Sequence, residues 1–223
     1  MEFRSLQEAG IDFRYLLNRG YPRKAGLELV GNRYQLTSDE RHLLHRGVFS
    51  DSASKSRLKK RVSVKEVWDK ALAIDGHNVL ITIEAGLSGG RLVLGDDGFI
   101  RDISGLSGNF RRTARTEEAL QMIFDLILEV VPRQTLFLFD APISKSGRLA
   151  QEVRDRLRKE GLPGDAQAVR VPETILMGFG GFIATSDTAI IDQSERVVDL
   201  AGTIIKRRFG GRSLVRLRRS IPT

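Results

Sequence analysis

Apolar positions recur along the chain with two different periods, and the change between them divides it. Over the first 50 residues the spacing is helical: Leu6, Ala9, Phe13, Leu16 and Leu17 share a face, with Ser5 and Glu8 at capping-box spacing. Gly20 is expected to end this helix. Pro22 is expected to begin a second helix, through Leu27 and Val30 to Gly31. Thr37 with Glu40 repeats the capping-box spacing before Leu43 and Leu44, and Gly47 is the expected stop. These glycine-separated helices predict a small, basic helical domain over residues 1–50. A nucleic-acid-binding module and a helical appendage packed on the rest both fit that pattern. Residues 51–62 hold few apolar positions and are read as a linker; five of the seven residues from Lys55 to Arg61 are basic.

Past Val62 the period shortens. Ser63 with Glu66 is placed to cap a short helix holding Val67 and Trp68, and Ala71-Leu72-Ala73-Ile74 is an apolar strand running into Asp75. Leu92 to Leu94 and Phe99 to Ile103 flank Gly95-Asp96-Asp97-Gly98, a hairpin signature. A mostly apolar helix is expected over residues 116–131, stopped by Pro132. Thr135 to Phe139 is a buried strand that runs into Asp140, and a charged amphipathic helix over 146–160 ends at Gly161. Short strands follow over 168–171 and 181–185, the second leading to Ser186 and Asp187, and a last helix is expected from about Glu195 to Arg208. Strands alternating with helices predict an α/β fold over residues 63–208, a mainly parallel sheet flanked by helices. Residues 209–223 are left as a basic tail.

Composition narrows the chemistry. The chain has no cysteine, which excludes disulfides, thiolate metal sites and a cysteine nucleophile. The net charge of +8 is unevenly placed: residues 1–70 carry 15 basic and 9 acidic side chains, residues 71–200 carry 14 and 19, and residues 201–223 carry 7 and none. An acidic middle between basic ends suits a polyanion held at the flanks while acidic groups act between them. A solubilising surface with a basic tail is the competing reading. No apolar run reaches the length of a membrane span and no signal-peptide layout opens the chain, so a cytoplasmic protein without a membrane partner is expected.

Three apolar strands run into an acidic residue: Asp75, Asp140 and Asp187. Parallel strands deliver their carboxyl ends to one edge of a sheet, so these residues are expected to meet, with Asp192 as a fourth candidate. Clustered carboxylates repel one another unless a cation or raised pKa values compensate, and hard oxygen ligands point to Mg²⁺ or Mn²⁺. Each aspartate alone reads equally well as a helix N-cap; recurrence after three core strands favours a shared site. Asp75-Gly76-His77-Asn78 reads as a flexible turn in which Asn78 positions a water or phosphate. Ser144-Lys145-Ser146-Gly147-Arg148, at a helix start, offers hydroxyls, N–H groups and the cations Lys145 and Arg148 to a phosphate, with Ser144 or Ser146 as a plain cap the alternative. His42 and His45 are read as surface residues. P-loop, dinucleotide-binding and Gly-x-Ser-x-Gly motifs are absent. An aspartyl-nucleophile phosphatase would want a second acid where this chain has His77.

The succession of Asp75-Gly76-His77-Asn78 after a strand, Phe139-Asp140, and Ala184-Thr185-Ser186-Asp187 before a helix resembles the PIN-like nuclease superfamily, close to its NYN branch, over about residues 70–208. The resemblance implies a metal-dependent ribonuclease. Asp75, Asp140 and Asp187 would bind Mg²⁺ or Mn²⁺ and activate water for phosphodiester attack, with Asn78 as a positioning group. Glu117 or Glu118 would stand in the place of the family's helix-borne acid. The whole chain further resembles an uncharacterised prokaryotic family that pairs a small N-terminal domain with a PIN-like one. The expected function is metal-dependent phosphodiester hydrolysis with RNA as partner. A non-catalytic RNA-binding protein on the same fold, and a phosphatase or phosphotransfer enzyme for small substrates, are the alternatives.

Overall fold

The structure is a computed structural model that describes residues 2–103, 110–211 and 214–217. Four helices come first: α1 (Glu2–Asn18), α2 (Arg23–Arg33), α3 (Ser38–Gly47) and α4 (Asp51–Lys60). Strand β1 (Arg61–Val62) and a 3₁₀ helix (Val64–Val67) lead to β2 (Ala71–Asp75), α5 (Gly76–Leu87), β3 (Leu92–Leu94) and β4 (Ile100–Asp102). Next come α6 (Ala114–Val130), β5 (Gln134–Asp140), α7 (Ser146–Lys159), β6 (Gly164–Val169) and α8 (Pro172–Met177). The remaining elements are β7 (Phe182–Ala184), α9 (Thr188–Gln193), β8 (Val197–Val198), α10 (Leu200–Phe209) and β9 (Leu214–Arg216).

Six strands form one sheet in the order β1-β8-β7-β2-β5-β6, parallel at every pairing, as the alternation of strands and helices requires. Successive side chains divide between its faces. Leu72, Ile74, Phe137, Phe139, Phe182 and Ala184 enter a core shared with α5, α6, α7 and α10. Ala73, Leu138 and Ile183 meet Leu176 of α8 and Ile190 of α9 on the opposite face. Because both faces are covered, the central strands read as unbroken apolar runs. From β2 the chain moves outward to β5 and β6, then crosses back to β7 and β8 on the other side. A reversal of this kind opens a crevice beyond the carboxyl ends of the strands. Asp75 and Asp140 end β2 and β5, and Asp187 follows β7.

A second sheet, in the order β4-β3-β9, joins the hairpin to residues beyond α10. Strand β3 splits its side chains: Leu92 packs with Ile100, Ile205 and Leu214, whereas Val93 joins Leu6, Phe13, Leu43, Leu44 and Leu217. The N-terminal helices are therefore built onto the hairpin's outer face. The Thr37–Glu40 and Ser63–Glu66 capping boxes both form. No helix among the described residues is long and apolar enough to cross a membrane.

Several expectations are corrected, each for a local reason. Most of the expected linker is α4, whose buried side chains are Ser54 and Arg57, so no apolar stripe marks it. Ser5 lies inside α1 rather than capping it, and Glu8 pairs with Arg4. Helix α2 passes through Gly31 to Arg33; a Cβ at Gly31 would collide with the Arg41 guanidinium, so the glycine serves packing rather than termination. The strand expected over 168–171 lies earlier, at Gly164–Val169. The last helix starts only at Leu200, after strand β8, with the Asp199 carboxylate accepting from Gly202 N–H at 2.9 Å. Part of the expected tail is strand β9, paired with β3; Arg212, Arg218 and Arg219 lie outside the described residues.

Candidate active site

Beyond the ends of β7, β2 and β5 lies a cavity of about 300 Å³ whose walls include Asp75, His77, Asn78, Asp140 and Asp187. The three strand-end aspartates are thus brought to one place, as parallel strands dictate. Gly76 makes the close approach possible: a Cβ there would meet the Phe139 ring and lie 2.8 Å from the Leu138 carbonyl oxygen. Residues 76–78 are the first turn of α5, not the flexible turn the sequence suggested.

Asn78 acts as a brace. Its side-chain oxygen accepts from the Ser186 N–H at 2.9 Å and the Ser186 hydroxyl at 3.0 Å, tying the start of α5 to the loop after β7. In the same loop the Thr185 hydroxyl donates to Asp75 Oδ2 at 2.7 Å. These bonds fix the spacing of Asp75 and Asp187. Asp187 is both cap and wall: Oδ1 accepts from the N–H groups of Ala189 at 2.8 Å and Ile190 at 3.2 Å. Its Oδ2 makes no hydrogen bond among the described residues. His77 Nδ1 lies 2.9 Å from Asp140 Oδ2 and 3.0 Å from the Asp140 backbone nitrogen. A ring nitrogen is either donor or acceptor, so Nδ1 serves the carboxylate when protonated and the amide when bare. The imidazole sits edge-on to Phe110 and Phe139, and its buried Nε2 has no partner among the described residues.

The electrostatics follow from burial without counter-charge. Asp75 is raised to about 7, first by burial and then by the nearby charges of Asp140 and Asp187, against the opposing effect of the Thr185 hydroxyl and the Asn78 N–H. A carboxylate held this way gains from any cation that enters the cavity.

Three further charged residues line the cavity that the sequence did not single out: Arg46 from α3, Asp102 from β4 and Glu173 from α8. Arg46 Nη2 donates to Asp102 Oδ2 at 3.3 Å, while its buried Nε has no partner among the described residues. No motif marks these residues, and they come from elements assigned to the helical domain, the hairpin and an unforeseen helix. The N-terminal region therefore contributes directly to the site.

Other candidates fall elsewhere. Asp192 is held by Arg57, with Nε to Oδ1 at 2.7 Å and Nη2 to Oδ2 at 2.8 Å, and is no part of the acidic cavity. Ser144 and Lys145 line a separate cavity with Arg111 and Arg112. The Ser146 hydroxyl donates to the Ile143 carbonyl at 2.6 Å, and Arg148 pairs with Glu152. The expected phosphate cradle is therefore dispersed. Glu117 pairs with Arg112, and neither it nor Glu118 borders the acidic cavity.

Behind the site lies a buried ionic joint. Arg101 Nη1 and Nη2 donate to the two oxygens of Asp97, each at 2.8 Å, and its Nε donates to the Ser186 carbonyl at 2.7 Å. Arg57 Nη1 reaches Asp97 Oδ2 at 3.3 Å. Arg14 and Asp96 form a second two-bonded pair, at 2.8 and 2.9 Å. The guanidinium carbons of Arg23, Arg57 and Arg101 stand 4.7, 4.6 and 5.1 Å from the centre of the Phe49 ring.

The donor chemistry suits Mg²⁺ or Mn²⁺, but no three acidic or histidine side chains among the described residues stand within joint reach of one ion. Mg²⁺ is commonly held by one or two carboxylates, with waters and substrate phosphate oxygens completing its octahedron. The residues present fit an ion bound together with substrate rather than one enclosed by protein.

Sheet order and cavity define a parallel α/β protein with an acidic crevice at its topological switch point. Residues 64–203 match the family described as Domain of unknown function (DUF5616), and the chain belongs to that family. Residues 5–60 match the family described as Protein of unknown function (DUF434). The chain is similar to the uncharacterized protein MJ0935 of Methanocaldococcus jannaschii, at 32% identity over 204 residues that span 91% of this chain and 97% of that protein. No solved structure matches.

Proposed function

We propose that the acidic cavity hydrolyses phosphodiester bonds of RNA with Mg²⁺ or Mn²⁺ as cofactor, as the resemblance to PIN-like nucleases implies. The observation that carries this reading is the convergence of Asp75, Asp140 and Asp187 in one cavity, with Asp75 raised to about 7 for want of a counter-charge. Asp75 and Asp140 would hold the divalent ion, with Asp187 Oδ2 reaching it through a water. The ion supplies electrostatic stabilisation of the phosphoryl oxygens. In the metal-free protein the raised Asp75 marks a buried charge that a divalent ion would stabilise, and the ion would supply the activation of the attacking water. His77 orients Asp140 through Nδ1 and keeps its carboxylate turned to one side of the cavity. Asn78 holds the loop that carries Asp187, and Arg46 offers a guanidinium edge to a phosphate oxygen.

The test is incubation of single-stranded RNA with the full chain and Mn²⁺. Cleavage is expected with Mn²⁺ or Mg²⁺ and not with EDTA, and Asp140→Asn is expected to slow it by about a hundredfold or more. RNA left intact under all these conditions, or an Asp140→Asn variant as active as the parent, overturns the reading.

A further inference from the structure

We propose that a second cavity, bounded by Arg23, His45, Arg46, Arg101 and Thr188, is a phosphate-binding site that seats a phosphate group of the strand engaged at the acidic cavity. Its volume of about 180 Å³ is small beside the roughly 300–1,000 Å³ of sites that enclose whole ligands, so it suits a single group. Arg46 and Asp187 line both cavities and form their common wall. A chain of phosphates bound across that wall would meet cations on one side and carboxylates on the other.

The balance of charge distinguishes this cavity from the ionic joint behind it. Arg101 is answered by Asp97 and Arg46 by Asp102. Arg23 is not: it donates to the His45 carbonyl, lies over the rings of Phe13 and Phe49, and pairs with no carboxylate among the described residues. Arg23 shares the field of Asp97 and Asp96 with Arg57 and Arg101 but pairs directly with neither carboxylate, which leaves its guanidinium open to an anion entering from solvent. Burial and the positive charges of Arg57 and Arg101 hold Arg23 down to about 10, against the opposing pull of Asp97 and Asp96. His45, exposed on the same wall, is lowered by partial desolvation and by the charges of Arg23, Arg46 and His42. It can gain a proton when a phosphate dianion arrives. The Thr188 hydroxyl makes no hydrogen bond among the described residues and is available to a phosphate oxygen.

The site itself stands on these residues alone; only the identity of its phosphate rests on the nucleic-acid reading. Inorganic phosphate is titrated into the metal-free full chain, with calorimetry for affinity and the His45 ring resonances by NMR for location. Charged groups around His45 are Arg23 of α2, Arg46 and His42 of α3, and Arg101 and Asp187 across the cavity. Saturable binding is expected, with the His45 pKa moving upward. Arg23→Gln should weaken it about tenfold, the effect of one charge-assisted hydrogen bond. Thr188→Val, which removes no charge from the ionic joint, gives a second reading should Arg23→Gln fail to fold, and should weaken binding a few-fold. No saturable response at His45, or parental affinity in a folded Arg23→Gln or in Thr188→Val, overturns the site. Competition by short oligoribonucleotides with and without a 5′-phosphate then identifies the source. Displacement by both supports an internal phosphate, and displacement by the phosphorylated one alone supports a terminal one. Displacement by neither overturns the assignment to a nucleic-acid strand. Since no divalent ion is present, these outcomes are separate from Mn²⁺ binding and RNA cleavage at the acidic cavity.

Discussion

Asp75 and Asp97 are both removed from solvent, at 7% and 0% exposure, yet they end in opposite electrostatic states. Burial pushes both upward. At Asp97 the charge of Arg101, its hydrogen bonds and the charge of Arg57 outweigh burial, and the carboxyl is held below its ordinary value. At Asp75 the nearest charges are two more aspartates, so burial and repulsion add and the group reaches about 7. Cost of desolvation is common to both; what differs is whether the fold itself supplies the partner. A buried carboxylate answered from within fastens elements together. One left unanswered waits for something from outside, which is why perturbed groups gather at functional sites.

The largest effect is expected where an answered charge loses its partner. Arg101→Met removes the two-bonded partner of Asp97, leaving only Arg57 Nη1 at 3.3 Å, and releases the Ser186 carbonyl, for a loss of about 3–5 kcal/mol in denaturant unfolding. A loss below about 1 kcal/mol would show that the joint does not fasten the hairpin and would break the contrast. Comparable only at high pH, and vanishing at low pH, is the effect of Asp75→Asn. In metal-free protein the Asp75 carboxyl titrates near 3.8 unfolded and about 7 folded. Between these values the folded state binds more protons, so wild-type stability falls as pH rises, by about 4 kcal/mol in full. Relative to wild type, Asp75→Asn should therefore gain stability from pH 4 to pH 8 and change little below pH 4; a difference that stays flat with pH would contradict it. The smallest effects separate Asp187 from Asp192. Asn caps almost as well as Asp, so Asp187→Asn should alter stability by only a few tenths of a kcal/mol while Mn²⁺ affinity drops about tenfold. Asp192→Asn should cost up to about 1 kcal/mol through Arg57 and leave Mn²⁺ affinity alone. Calorimetric titration of both variants reverses or sharpens that assignment.

What the residues announced and what they hid follows the same division. Strands β2, β5 and β7 were legible because both faces are apolar, and their acidic ends were legible with them. Helix α5 was not: Val79-Leu80-Ile81-Thr82-Ile83 is mostly β-branched and mostly apolar, all five residues are buried, and no polar face gives it a helical period. Helix α4 hid for the converse reason, since its inward contacts are made by Arg57 with Asp97 and Asp192 and not by an apolar stripe. Arg46 and Asp102 reach the acidic cavity only through the packing of α3 on the hairpin, a juxtaposition that no local spacing encodes. Asp192 looked like a member because sequence proximity to Asp187 says nothing of the direction α9 gives it.

The seam between the ends of the chain bears on the order of assembly. Strand β9 completes the small sheet beside β3, the Gln7 side-chain amide donates to the Arg216 carbonyl at 2.9 Å, and Leu217 fills a place among Leu6, Ala9 and Leu44. The helices synthesised first thus obtain their final wall from residues about two hundred positions later. Such closure carries a loop-entropy cost that local helix formation does not repay, and it slows folding. The N-terminal core is therefore complete only when residue 217 is in place beside α1 and α3, so the two ends of the chain are tied into one cooperative unit.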